Sequence, residues 1–258
     1  MKMINKIAII SKYTFKEILK SRILYITLVI GVALMLVTYV ATEFTFGVPE
    51  KVALDFGLGM LSLSSLGISL FMGATLLPNE INSRTVYMVI SRPVPRWVFI
   101  TGKILGLIGV LLVNVAILSS MTLACSYLLG GDINQPIIMA IIFNILECLL
   151  LLLVVVFFSL FSNTILASAI SLVILMLGHA VKETQNINFV EKREFLKTIL
   201  EIYHLILPGF YKLNLKDFVI YNQTIDTSYL INAFFYGSFY SLFLFLIIIF
   251  IFNKKNLD

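Results

Sequence analysis

Six long apolar blocks constrain the fold of this chain more than any other feature of its sequence. Each has 18 residues or more, and about 18–20 helical residues cross the roughly 30 Å hydrocarbon core of a bilayer. Backbone groups in lipid must hydrogen-bond within their own segment, so each block is predicted to be a helix. The predicted spans are Ile23–Ala41, Leu54–Leu77, Ile104–Leu129, Pro136–Phe161, Thr164–Val181 and Leu230–Phe252.

The composition agrees with this prediction. The 258 residues are 60% hydrophobic and 13% charged, which excludes an ordinary soluble domain. We therefore predict an all-α membrane protein in which residues 1–258 form a single transmembrane domain. Its segments are 1–22, 23–181 with a charged loop at 78–103, the loop 182–229, and the last span with its tail at 230–258.

The distribution of Lys and Arg predicts the orientation. Twelve of the 19 lie in residues 1–22, 78–103 and 253–258, on one side of the predicted membrane. Loops rich in Lys and Arg stay in the cytoplasm, so both termini and the 78–103 loop are predicted to be cytoplasmic. The net charge of +5 follows from this asymmetry, and nothing in the sequence indicates nucleic-acid binding.

Residues 2–20 have the clearest amphipathic pattern. Lysines occupy one half of the helical wheel, and isoleucine, phenylalanine and leucine occupy the other half. This pattern predicts a helix within 1–22 that lies in the inner-leaflet interface and is attracted to anionic lipid. The alternative is a cytosolic extension that only enforces topology. A second amphipathic pattern, at 191–206, predicts an interfacial helix in the outer loop.

Small residues recur at helical spacing in the second and third spans. Such stripes let helices approach closely in lipid, so they predict helix contacts. A water-lined serine face is the alternative for the second span. The stripes are Ser62, Ser65, Ser69 and Gly73, then Gly102, Gly106 and Gly109.

Glu147 lies near the middle of the fourth span, where an exposed carboxylate is costly. One interpretation is a hydrogen-bonded group that joins helices, with Asn114 or Asn144 as partner. The other interpretation places Glu147 on a substrate path or at a gating interface, together with Asn114, Ser65 and Ser69. The sequence leaves both open.

Catalytic and metal-binding motifs are absent from the sequence. Gly102-Lys103 lacks the glycine-rich loop that cradles phosphates in nucleotide-binding proteins. The two cysteines, Cys125 and Cys148, fall inside predicted spans, so neither a disulfide nor a zinc site is expected. We predict no catalytic residue, no metal site and no cofactor in this chain.

The 78–103 loop carries charged, proline and glycine residues in a fixed order: Glu80, Arg84, Arg92, Pro93, Arg96, Gly102 and Lys103. This order resembles the first cytoplasmic loop of ABC permeases of the second exporter type, and in particular of permeases that accompany nitrous oxide reductase maturation. One departure is Ser83-Arg84-Thr85, where family members often have Arg-Gly-Thr.

The resemblance implies a multi-pass permease subunit in a prokaryotic inner membrane. It implies a homodimer with two copies of a separate ATPase that binds ATP and magnesium, and it leaves room for an extracytoplasmic partner. A helix at 80–96 would couple the two proteins, with Glu80 and Arg84 as polar contacts to the ATPase. Arg92 and Arg96 would contact the ATPase or anchor the inner leaflet. The permease itself would not be an enzyme.

Two other function classes have weaker support in the sequence. A secondary transporter or channel would use Glu147 to couple to a proton or ion, but no paired broken helices or filter-like loop support it. An intramembrane enzyme lacks a catalytic constellation.

Overall fold

The computed structural model describes residues 3–20, 23–43, 49–82, 94–184, 207–221 and 225–255. The regular elements in these ranges are helices. Residues Phe210–Lys212 form a single 3-10 turn. The helices are α1 Met3–Leu19, α2 Ile23–Glu43, α3 Pro49–Asn82, α4 Arg96–Leu128, α5 Gln135–Ser159, α6 Thr164–Thr184, α7 Lys216–Ile220 and α8 Thr227–Lys254.

Four of these helices are long and apolar enough to cross a membrane, which indicates a membrane protein. They confirm the all-helical membrane prediction at that level. The apolar parts of α2 and α6, Thr27–Ala41 and Thr164–Ala180, are shorter, so a crossing by either helix stays a prediction. The four candidate spans are Pro49–Leu76, Arg96–Leu128, Gln135–Ser159 and Thr227–Lys254.

Local chemistry sets several helix ends. Gly130 adopts φ of +87°, a left-handed conformation that suits glycine after a helix, and it turns the chain out of α4. Pro136 lies in the first turn of α5, where a missing N–H costs nothing. Asp226 caps α8, since its Oδ1 accepts a hydrogen bond from the Ser228 N–H at 3.2 Å.

The two helices that flank the charged loop are longer than predicted. α3 continues to Asn82 and α4 begins at Arg96, so Glu80 lies in the last turns of α3 and Lys103 lies inside α4. The prediction of a separate helix at 80–96 is therefore wrong at both ends. Hydropathy marks where a span leaves the hydrocarbon, whereas a helix can continue into water with charged side chains. Residues 83–93 lie outside the described part of the chain.

The predicted helix near the N-terminus is confirmed as α1, and it packs on α4. Successive turns of α1 contact successive glycines of the stripe on α4. A Cβ at Gly102 would lie 2.7 Å from the Ile10 Cβ, and a Cβ at Gly106 would lie 2.6 Å from the Thr14 Cβ. The missing side chains thus let α1 run alongside α4 in the same direction, as expected for small residues in a helix contact.

Helix α5 lies at the centre of the bundle. Leu150, Leu151 and Val155 are almost completely buried, which explains why α5 is apolar around its circumference. Gly73 of α3 packs directly on it, since a Cβ there would lie 3.1 Å from the Leu152 carbonyl oxygen.

Residues 207–221, which we call the cap segment, cover one end of the bundle. Phe210 is fully buried and stacks on the ring of His179 at 6.1 Å. Lys216 forms an ion pair with Asp55 of α3 at 2.8 Å. Burial raises the pKa of the Tyr211 hydroxyl. The amphipathic segment predicted at 191–206 lies outside the described residues.

The opposite end of the bundle, which we call the Arg96 end, holds both ends of the described chain. α1 starts beside the first turns of α4, and the Arg96 guanidinium donates a hydrogen bond to the Lys255 carbonyl oxygen at 2.7 Å. The very short connection between α5 and α6 also lies here, because the Lys255 ammonium donates to the Leu160 carbonyl oxygen.

Candidate coupling site and buried polar residues

Three charged residues meet at the Arg96 end, and we call them the Lys103 cluster. The ammonium of Lys103 on α4 donates a hydrogen bond to a carboxylate oxygen of Glu80 on α3. The same ammonium lies 3.6 Å from the Glu17 carboxylate on α1. The Lys103 and Glu80 side chains are only 12% and 13% exposed, so water screens this pair less than a surface ion pair.

The cluster assigns Glu80 an intramolecular contact that the sequence did not predict. A charge-assisted hydrogen bond of this kind contributes about 1.5–3 kcal/mol. The Lys103 cluster holds the end of α3 against α4 through Glu80, and it holds α1 against α4 through Glu17. Any partner that displaces the chain after Glu80 would therefore move three helices together.

Arg96 has a comparable role at the start of α4. Its guanidinium binds the last turn of α8 through Lys255, and Lys255 in turn binds Leu160 after α5. The sequence predicted Arg96 as an ATPase contact or a lipid anchor, and that contact stays a prediction. Arg84 and Arg92 lie outside the described residues.

Asn114 is the centre of a second group of polar residues, deep in the bundle. Its amide nitrogen donates to the Thr27 hydroxyl at 2.6 Å, and its oxygen accepts from the Ser65 hydroxyl at 3.3 Å. Ser69 donates to the Ser65 carbonyl oxygen at 2.8 Å. The structure thus brings three of the predicted residues together, where they join α2, α3 and α4.

Glu147 is bound by His179. The Nε2 atom of His179 on α6 lies 2.9 Å from a Glu147 carboxylate oxygen on α5, and with Glu147 ionised the imidazole N–H is the donor. The Glu147 side chain is 2% exposed and that of His179 is 33% exposed. A buried carboxylate needs such a donor to offset the loss of water.

The predicted partners of Glu147, Asn114 and Asn144, were therefore wrong. Asn114 bonds to α2 and α3 instead, and the Asn144 side-chain oxygen accepts from the Cys148 thiol, with 3.8 Å between sulfur and oxygen. The sequence did contain a pattern that predicts His179 as the partner of Glu147. A short connection makes α5 and α6 antiparallel neighbours. Glu147 and His179 stand at similar distances before and after that connection.

The space beside Glu147 is small. A cavity of about 20 Å³ lies between Glu147, Asn144 and the cap segment. This volume fits one water molecule and no larger solute. The geometry therefore favours the interpretation of Glu147 as a hydrogen-bonded group that joins helices, and a substrate path through it stays a prediction.

We expect Glu147→Gln to keep the fold and Glu147→Ala to destabilise it. A glutamine oxygen still accepts from His179, whereas alanine removes the acceptor at a cost of about 1–3 kcal/mol. Thermal unfolding in nanodiscs checks both variants. A double-mutant cycle with His179→Ala isolates the pair, and a coupling energy near zero would contradict the contact.

Comparison with known proteins adds no further assignment: no protein-family model matches this chain, and no curated protein matches its sequence.

Proposed function

We propose that this chain is the permease subunit of an ATP-driven exporter of the ABC class. In this proposal α2, α3, α4, α5, α6 and α8 cross a prokaryotic inner membrane, and the Arg96 end faces the cytoplasm. Two copies of the chain associate with two copies of a separate ATPase, which binds ATP and magnesium. The complex moves a substrate or performs mechanical work across the membrane.

The observation that carries the proposal is the Lys103 cluster. The stretch between α3 and α4 has the charge order of an ABC coupling loop, and the cluster holds both helices flanking it, together with α1, through Lys103. A loop anchored in this way transmits a push to the bundle, whereas a loop on loosely held helix ends would absorb it.

The free energy for such a movement must come from the partner. A ligand shifts a conformational equilibrium only by its differential affinity for the two states. The chain has no phosphate-binding loop, so ATP acts on it only through the ATPase. The Arg96–Lys255–Leu160 contacts extend the connection from α4 to α8 and to the end of α5.

The proposal predicts that the purified chain neither binds nor hydrolyses ATP and that it co-purifies with an ATPase subunit. Isothermal titration with magnesium–ATP measures binding by the chain alone. Affinity purification of the tagged chain from its own membranes, followed by mass spectrometry, identifies partners. Tight ATP binding by the isolated chain, or the absence of any ATPase in the purified complex, would contradict the proposal.

One observation favours a second candidate function. The Glu147–His179 pair joins two ionisable groups inside the bundle, and pairs of this kind occur on proton paths in transporters. A proton-coupled transporter would work without an ATPase partner, and Glu147→Gln would abolish its transport. An ABC permease would keep ATP-dependent turnover in that variant.

A further inference from the structure

A cavity of about 860 Å³ lies between the first halves of α5 and α8, at the end of the bundle that carries the cap segment. Its size is typical of sites for small ligands. The residues beside Glu147 line a different, much smaller cavity. The Lys103 cluster, on which the proposed function rests, lies at the opposite end of the bundle.

The cavity is apolar over most of its depth. From Gln135 to Phe143, and from Thr227 to Phe235, its walls follow nine residues of helix, which rise about 12 Å. Phe234 and Phe235 are 44% and 53% exposed. These side chains lie in a candidate span, so the wall they form would face hydrocarbon rather than water.

The mouth of the cavity is charged. Glu50 and Lys51 begin α3, and Asp132 follows the turn between α4 and α5. That turn packs against α3, since a Cβ at Gly131 would lie 3.0 Å from the Glu50 Cβ. Within the described ranges, none of these three charges belongs to an ion pair.

We infer that this cavity binds a zwitterionic phospholipid with a primary ammonium headgroup, as in phosphatidylethanolamine. Lys51 binds the phosphate, and Glu50 and Asp132 bind the ammonium. The upper part of an acyl chain follows the apolar wall towards Phe143 and Phe235. Two carboxylates beside the single Lys51 ammonium favour this headgroup over an anionic one. The primary ammonium of the lipid also donates hydrogen bonds to the carboxylates, which a quaternary ammonium headgroup cannot do.

Fluorescence quenching by brominated lipids tests the inference. The chain contains one tryptophan, so Trp97→Phe gives a silent background. Phe235→Trp then places a reporter in the cavity wall. Phe239→Trp is the matched control, because Phe239 lies one turn further along α8, is 65% exposed and does not line the cavity. Both variants are reconstituted in phosphatidylcholine vesicles with a minor fraction of brominated lipid.

The reporter Phe235→Trp should be quenched several-fold more by brominated phosphatidylethanolamine than by brominated phosphatidylcholine or phosphatidylglycerol. The control Phe239→Trp should be quenched equally by all three. Adding Glu50→Gln and Asp132→Asn to the reporter should remove the preference. Equal quenching at both positions would overturn the site, and a preference for phosphatidylglycerol would overturn the headgroup assignment. Neither result depends on an ATPase, so the proposed function is tested separately.

Discussion

Replacing Gly106 with leucine is expected to separate α1 from α4. The smallest side chain at this position, a single Cβ, would already lie 2.6 Å from the Thr14 Cβ and 3.0 Å from the Ser11 carbonyl oxygen. Overpacking of this kind costs about 1–3 kcal/mol or more. Thermal unfolding in nanodiscs should show the loss of stability, and trypsin should cleave faster at the lysines of α1.

Gly67→Leu is the matched control. Gly67 lies on α3, and within the described ranges no heavy atom outside its own stretch of helix lies within 4 Å of a Cβ built there. The same substitution should therefore leave the melting temperature unchanged or slightly raised, since leucine favours helix over glycine by roughly 0.5–1 kcal/mol. If the Gly106 and Gly67 variants unfold at the same temperature, the contact between α1 and α4 is not what the glycine stripe provides.

The stripe illustrates how far the sequence can be used. Helical spacing of Gly102, Gly106 and Gly109 predicted a close helix contact, because small residues on one face have few other uses in lipid. It did not predict the partner. The contact joins segments about 90 residues apart in the chain, and periodicity within one helix carries no information about which other helix packs there.

The polar residues show the same limit. Glu147 and Asn114 were recognised from the sequence because polar groups are expensive at membrane depth. Their partners depend on how neighbouring helices rotate about their axes, which hydropathy does not determine. Only the Glu147–His179 pair had a usable signal, since a very short connection fixes α5 and α6 as antiparallel neighbours.

Helix ends were the least predictable part of the candidate coupling site. The apolar pattern ends at Leu77, yet α3 continues to Asn82, because charged residues beyond the span still form helical hydrogen bonds in water. The sequence therefore predicted Glu80 at the start of a separate coupling helix, as a contact to the ATPase, whereas Glu80 lies at the end of α3 and its contact with Lys103 holds it against α4.

Reversing the charge of Lys103 is expected to disrupt this site. Lys103→Glu would bring three carboxylates together, from Glu17, Glu80 and the new side chain, where one ammonium now holds two. The loss of the charge-assisted bond costs about 1.5–3 kcal/mol, and repulsion adds to it. In the proposed complex, the loop after α3 would no longer be anchored, so ATP hydrolysis should become uncoupled from movement of the bundle. Melting temperature, ATPase pull-down and turnover in nanodiscs measure these effects.

Two variants make this result specific to the cluster. Lys12→Glu introduces the same charge change on the exposed face of α1, and it should leave stability and coupling near wild type. Adding Glu80→Lys to Lys103→Glu restores an opposite-charge pair between α3 and α4. Glu17 then faces a carboxylate, so a partial recovery of both stability and coupling is expected.

If ATP hydrolysis stays coupled in Lys103→Glu, the Lys103 cluster serves only the packing of the helices. Recovery of stability without recovery of coupling would instead indicate that Glu80 itself contacts the ATPase, because the exchanged pair still joins α3 to α4 but presents the opposite charge to a partner.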